Sequence, residues 1–107
     1  MQVRISTRHG ELSAATQEKI QQKVEKLHRY FERLMSIEVT VDLEKDDEPN
    51  IEIVASAEHK RDFVANHQSK DMFGSVDKVI SKLEQQIKKY KEKLQDHNRG
   101  LADSPSE

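Results

Sequence analysis

The sequence predicts an α+β fold: a single β-α-β-β-β-α domain with a four-stranded sheet and both helices on one face. Three observations predict it. Four short stretches alternate apolar and polar residues, two longer ones repeat apolar residues at steps of three and four, and 107 residues is the size of one ordinary domain. In "QVRIST", Val3 and Ile5 oppose Gln2, Arg4 and Ser6, the period of a half-buried strand. After "RHGELS", Ser13 is placed to cap a helix, and Ile20, Val24, Leu27, Phe31 and Leu34 form its apolar stripe. That stripe predicts a helix over Ala14 to Met35.

"SIEVTVDLE" alternates Ile37, Val39, Val41 and Leu43 with Glu38, Thr40, Asp42 and Glu44, and "KDDEPN" supplies turn chemistry after it. "NIEIVASAE" repeats the alternation through Ile51, Ile53, Ala55 and Ala57, and "DFVANH" gives a fourth strand after the "EHKR" turn. From Ser69 the period is helical again, with Phe73, Val76, Ile80, Leu83, Ile87, Tyr90 and Leu94 in one stripe. Every strand shows one apolar and one polar face, so one sheet face must be covered by both helices. Short turns make strands two to four antiparallel, while the first strand, returning through the long helix, is free to pair in parallel. Gly100 and Pro105 fall in a polar stretch with nothing to pack against, so residues 1–97 are expected to form the domain and 98–107 a short flexible polar tail.

Composition narrows the classes of function. Hydrophobic residues make up 34% and charged residues 36%, a balance that suggests disorder until the strict periodicity is considered. There are no cysteines, which removes disulfides, thiol catalysis and cysteine-ligated metal and fits a reducing compartment. Neither a signal-peptide core nor an apolar run of membrane-spanning length is present, so the protein is expected to be soluble and cytoplasmic.

The formal net charge is −2, but it is unevenly distributed. Ser13 to Met35 and Lys70 to His97 each carry +2, whereas Ile37 to Gln68 carries −6. At 100° per residue, Lys19, Lys23, Lys26, Arg29, Tyr30 and Arg33 fall on one flank of the first helix, opposite Glu18, Gln21, Glu25 and Glu32. On the second helix, Ser75, Lys78, Lys82, Gln86, Lys89 and Lys93 form a flank without an acid, and Asp77, Glu84, Lys88, Lys91 and Glu92 a mixed one. Glu38, Asp42, Glu44 and Glu52 alternate away from the core and belong to the exposed sheet face.

Two basic stripes on neighbouring helices are expected to form a groove with the electrostatic footprint of a phosphate backbone. Lysine supplies charge without base-specific geometry, so the surface would read RNA shape rather than sequence. A competing reading makes the lysines a solvated face with intrahelical pairs such as Glu84 with Lys88 and Glu25 with Arg29. The anion-binding reading leads because both helices carry acid-free flanks while the acids gather elsewhere. Tyr30 borders the basic flank, where it either stacks on a base or covers the helix edge.

Other constellations carry no chemistry. His9, His28, His59, His67 and His97 show no metal-ligand spacing on one helix, so no metal is expected. Neither a nucleophile elbow nor a phosphate loop occurs, and no cofactor, small-molecule substrate or catalysis is expected.

The segment "DMFGSVDKVISKLEQQIKKYKEKL" resembles the second helix of the ribosome hibernation-promoting factors and ribosome-associated inhibitors, with Asp71, Met72, Asp77, Lys82, Leu83, Glu84, Gln86, Lys89, Lys91 and Lys93 at matching places. "KVEKLHRYFERL" resembles the family's first helix through Lys23, Lys26, Leu27, Tyr30 and Phe31, and "QVRIST" its opening strand. Departures lie at Phe73, Gly74, Ser75 and Val76, where the family has Tyr-Ala-Ala-Ile, at Gln85, where a basic residue is common, and at the "HKR" turn, which is often glycine-rich. The resemblance implies a fold like that of double-stranded RNA-binding domains. It also implies binding to 16S rRNA of the small ribosomal subunit, in the channel of messenger and transfer RNA. The protein would then be a translation inhibitor that stores idle ribosomes under stress or in stationary phase, by steric block.

Long members of that family carry a second domain, and at 107 residues this sequence is expected to be a short member. Among short members, the tail "NRGLADSPSE" points to the hibernation-promoting type rather than the inhibitor type, whose longer acidic extension opposes ribosome pairing. The alternative from another class is a small homo-oligomeric interaction module with no RNA role, pairing through a sheet edge.

Overall fold

The computed structural model describes residues 1–45 and 47–99, without the side chains of Lys60 and of residues 94–99. Its elements are β1 (Gln2–Arg8), α1 (Ala14–Val24), α2 (Lys26–Tyr30), β2 (Leu34–Asp42), β3 (Asn50–Ala57), a 3-10 turn (Glu58–Lys60), β4 (Arg61–Gln68) and α3 (Met72–Arg99). The strands form one sheet in the order β1-β2-β3-β4. β1 pairs with β2 in parallel, and the remaining pairs are antiparallel, as the connection lengths predict.

Register aligns the apolar positions in rows. Val3, Ile37, Ala55 and Phe63 form one row across the four strands, and Ile5, Val39, Ile53 and Ala65 the next. The inner strands of these rows are fully covered, while Val3 and Ile5 on the edge are only half-buried. Above them lie Ile20, Val24, Leu27 and Phe31 from the first helical stretch and Val76, Val79, Ile80, Leu83 and Ile87 from α3. Phe31, Phe63 and Tyr90 meet edge to face, with ring centroids 5.6 to 6.3 Å apart, and tie the end of α2 to β4 and α3. The Arg61 guanidinium lies 5.3 Å from the Phe63 ring and 5.0 Å from the Tyr90 ring, covering the open side of that cluster.

The helix expected over Ala14 to Met35 is shorter and broken. Ser13 caps it as predicted, its hydroxyl accepting from the Thr16 N–H at 3.1 Å. The helix is interrupted after Glu25, whose carbonyl accepts from the His28 N–H at 3.1 Å, and α2 ends at Phe31, whose backbone is extended (φ −142°, ψ 101°). Leu34 therefore opens β2 rather than closing a helix. It is buried all the same, because a bulge between Leu34 and Ser36 turns Met35 outward, 59% exposed, and lets Leu34 and Ile37 both face the core.

The second helix starts at Met72, three residues after the predicted Ser69. Asp71 accepts from the Gly74 N–H at 2.9 Å, and Ser69 accepts from the Asp71 N–H at 3.2 Å. Ser75, from the predicted acid-free flank, is buried and satisfied by the Ser69 hydroxyl at 2.6 Å. Asn98 and Arg99, which the sequence places in the tail, belong to α3; the side chain of Leu94 and residues 100–107 lie outside the described part.

Candidate nucleic-acid interface

α3 presents two flanks with different neighbours. One reaches over the edge strand β4: the Lys82 ammonium donates to the Asn66 carbonyl at 2.9 Å and the Gln86 amide to the Val64 carbonyl at 2.8 Å. Both carbonyls belong to the outer side of a terminal strand, where the ladder offers no partner. Lys78, Lys89 and Lys93 on this flank are exposed. The opposite flank faces α1 and α2. There Lys23 donates to both carboxylate oxygens of Asp77, at 2.9 and 3.1 Å, and Lys19 lies 4.2 Å from the centre of the Phe73 ring. Lys91 donates to the Tyr30 carbonyl at 3.2 Å and lies 4.9 Å from the Tyr30 ring centre.

This arrangement corrects the expected groove. The basic flank of α1 meets the mixed flank of α3, not its acid-free one. The reason is steric: α3 lies over β3 and β4 with its apolar stripe on the sheet, and α1 sits on its β1 side. Only the flank bearing Phe73, Asp77 and Lys91 can then touch α1 and α2, while Lys82 and Gln86 point to the far edge. The residues named by sequence are thus split between two basic surfaces on one side of the sheet. Lys19, Lys23 and Tyr30 border the interhelical seam, and Lys78, Lys82, Gln86, Lys89 and Lys93 follow the outer flank.

Several members differ in freedom. Lys26 and Arg29 are exposed. Lys23 is only 21% exposed and is neutralised by Asp77, so it ties the helices together. Arg33 is exposed but stands in the turn between α2 and β2, a second correction, since helical spacing alone puts it on a helix flank. The intrahelical pairs of the competing reading, Glu84 with Lys88 and Glu25 with Arg29, do not form among the described residues; Glu25 instead accepts from the Gln21 amide at 3.2 Å.

The acids are distributed largely as predicted. Glu38 and Glu52 project from the sheet face opposite the helices, and Glu38 lies 3.8 Å from Arg4 across the β1–β2 pair. Asp42 is half-buried at the end of β2, and Glu44 lies beyond the strand.

Sequence reasoning missed the end of the sheet where His9, Asp42 and Glu44 come together, their polar atoms within 4.8 Å of one another. His9, in the left-handed region at φ 60°, places its Nδ1 2.9 Å from the Asp42 carboxylate, which also accepts from the Glu44 N–H at 3.0 Å. The hydrogen bond with His9, reinforced by the one from Glu44, holds the Asp42 carboxyl below its ordinary value. The group closes the β1–β2 end. His9 and Asp42 are separated by 33 residues, so only the parallel strand pairing reveals it.

With this geometry in place, relatives can be compared. Residues 3–95 match the family model described as Sigma 54 modulation protein / S30EA ribosomal protein. The chain belongs to that family. A ribosome hibernation promoting factor from Azotobacter vinelandii is 34% identical, over 98% of this chain and 98% of its own. One from Pseudomonas putida is 30% identical, over 95% of this chain and 98% of its own. Among solved structures, a ribosomal subunit interface protein from Coxiella burnetii shares the fold at a TM-score of 0.75 and 21% identity, covering 85% of this chain and 98% of its own. The N-terminal domain of Thermus thermophilus Protein Y does so at 0.72 and 20%, covering 84% and 99%. Among the described residues, no helix is long and apolar enough to cross a membrane.

Proposed function

We propose that this protein is a ribosome hibernation factor of the short hibernation-promoting type, which binds the small subunit through 16S rRNA and occupies the channel of messenger and transfer RNA. Residues 1–97 act as the ribosome-binding domain. The observation that carries this reading is the polarity of the molecule: the exposed Lys26, Arg29, Lys78, Lys89 and Lys93 lie on the helical side, while Glu38 and Glu52 stand on the opposite sheet face, with Arg4 beside Glu38. A polyanion is attracted to the first surface and repelled by the second. Near-full-length similarity to proteins named ribosome hibernation promoting factor supports the same reading.

The exposed cations Lys26, Arg29, Lys78, Lys89 and Lys93 are assigned to phosphate. Lys82 and Gln86 hold β4 and are assigned to orientation of that surface, with the remaining ammonium donors of Lys82 directed to RNA. Lys19 and Arg33 contribute positive potential at its margin, and Lys23, neutralised by Asp77, holds α1 against α3. Inhibition is steric and needs no chemical step: a domain seated in the channel excludes messenger and transfer RNA, and the idle ribosome is stored. Co-sedimentation with purified small subunits tests this. Wild-type protein is expected to travel with the subunit at low salt and leave it as salt rises, and folded Lys78→Glu, Lys89→Glu protein is expected to stay at the top. Wild-type protein that fails to bind at low salt contradicts the function, and a folded double variant that binds equally contradicts the surface.

A further inference from the structure

A cleft of about 450 Å³ lies where Tyr30, at the end of α2, meets the outward side of α3. Ser81, Glu84, Gln85, Lys88, Lys89 and Glu92 line it with Tyr30. Its volume falls within the range of sites that take a small organic group.

Three features say what kind of group. First, Tyr30 is 37% exposed and its ring is backed by Lys91, which is anchored in turn on the Tyr30 carbonyl at 3.2 Å. An aromatic ring held in this way is a preordered platform for a flat partner. Second, Glu84 is half-buried and makes no ion pair among the described residues, although Lys88 follows it by one helical turn. A carboxylate offers acceptors only, so it repels phosphate but suits a ligand edge made of N–H donors. Third, Lys88 and Lys89 stand beside it, ready for an anion attached to that ligand.

A flat ring, an edge of N–H donors and an attached anion together describe a nucleotide. Among the RNA bases, guanine alone offers two adjacent donors, N1–H and the N2 amino group, on its Watson–Crick edge; uracil offers a single imide N–H. A protein arginine also fits a tyrosine and a carboxylate, but it brings no anion for Lys88 and Lys89.

We propose that this cleft captures one unpaired guanine of RNA, stacked on Tyr30, donating N1–H and N2–H to Glu84, with its phosphate on Lys88 or Lys89. The inference rests on the ribosomal RNA reading and adds a base-specific contact to a surface otherwise suited to reading phosphates. Unpaired bases that stack on aromatic side chains while their edges are hydrogen-bonded are the usual targets of sequence-specific RNA recognition.

The test is an NMR titration of ¹⁵N-labelled protein with the single-stranded tetramers UUGU and UUUU and with N-acetyl-arginine amide. The amides of Ser81, Gln85 and Lys88 are expected to shift saturably with UUGU, with at least about fivefold weaker binding of UUUU and none of the arginine compound. Glu84→Gln is expected to abolish the preference for UUGU, and Tyr30→Leu to weaken both RNAs, while Tyr30→Phe retains binding. Each variant must keep a dispersed spectrum, and Glu84→Gln alone decides the matter if Tyr30→Leu does not fold. Equal binding of the two tetramers, no shift with either, or preferential binding of the arginine compound overturns the proposal. No ribosome is involved, so a protein that co-sediments yet ignores UUGU faults the cleft alone. One that binds UUGU yet never co-sediments faults the proposed function alone.

Discussion

The acid-free flank of α3 carries Lys78, Lys82, Lys89 and Lys93, the mixed flank Lys88 and Lys91, and the two use their charges differently. Toward α1 and α2, cations and acids interlock: Lys23 grips Asp77, and Lys91 is fixed on Tyr30. Toward β4, the lysines form no ion pair among the described residues; Lys82 and Gln86 bond to strand carbonyls, and Lys78, Lys89 and Lys93 are exposed. The contrast teaches that the presence of lysine does not mark a binding surface. Its charge must also be left uncompensated. By that criterion the outer flank is the stronger candidate for phosphate, and the seam between the helices is chiefly structural, with an open cleft at Tyr30.

Both flanks rest on the same core. Phe63 lies beneath both flanks and packs edge-on against Phe31 and Tyr90, so Phe63→Ala is expected to cost about 3–5 kcal/mol in chemical denaturation and loosen both flanks together. The outer flank is sharpened next. Lys82→Ala with Gln86→Ala removes two bonds to β4 carbonyls, and a loss of about 1–2 kcal/mol is expected, with faster amide exchange along β4. For the seam, Lys23→Met with Asp77→Asn removes a partly exposed ion pair, and less than about 1 kcal/mol should change in the same measurement. If the seam pair proves the more costly, the contrast is drawn the wrong way round.

A further variant lies outside both flanks. The Asp42 carboxyl titrates below 3.8 in the folded chain, so its stabilising contribution is present above pH 3.8 and is lost as pH falls through the lowered value. Asp42→Asn is therefore expected to flatten the acid limb of a stability–pH curve while leaving ribosome binding unchanged. An unaltered acid limb would contradict the role given to the His9 bond.

Much of the architecture was legible in the sequence because strand alternation and helix periodicity are local. The four strands and the apolar stripe of α3 follow from that, while the long connection left β1 free to pair in parallel, as it does. The end of the first helical stretch was not legible. "RYFERLMS" contains no glycine or proline, and Leu34 reaches the core whether it continues a helix or, with a bulge, starts a strand. Both patterns bury the same residue, so burial periodicity cannot separate them. The interface was partly legible for a related reason. Helical angle sorts Lys78, Lys82, Gln86, Lys89 and Lys93 onto one flank, but which neighbour that flank meets depends on where the helix sits on the sheet. The bonds of Lys82 and Gln86 to β4, like the pairing of Lys23 with Asp77, join elements far apart in sequence, and nothing in the local pattern encodes them.

The claim that the helical side carries the RNA is tested most directly by the salt dependence of binding to purified small subunits. Three folded proteins are needed: wild type, Lys78→Glu with Lys89→Glu, and Glu38→Lys with Glu52→Lys. Wild-type binding is expected to fall steeply with salt. The helix variant should bind more weakly, with a slope smaller by roughly one for each phosphate it no longer neutralises, and the sheet-face variant at least as tightly as wild type. Binding that ignores both helix substitutions, or that is abolished by the sheet-face ones, would contradict the assignment.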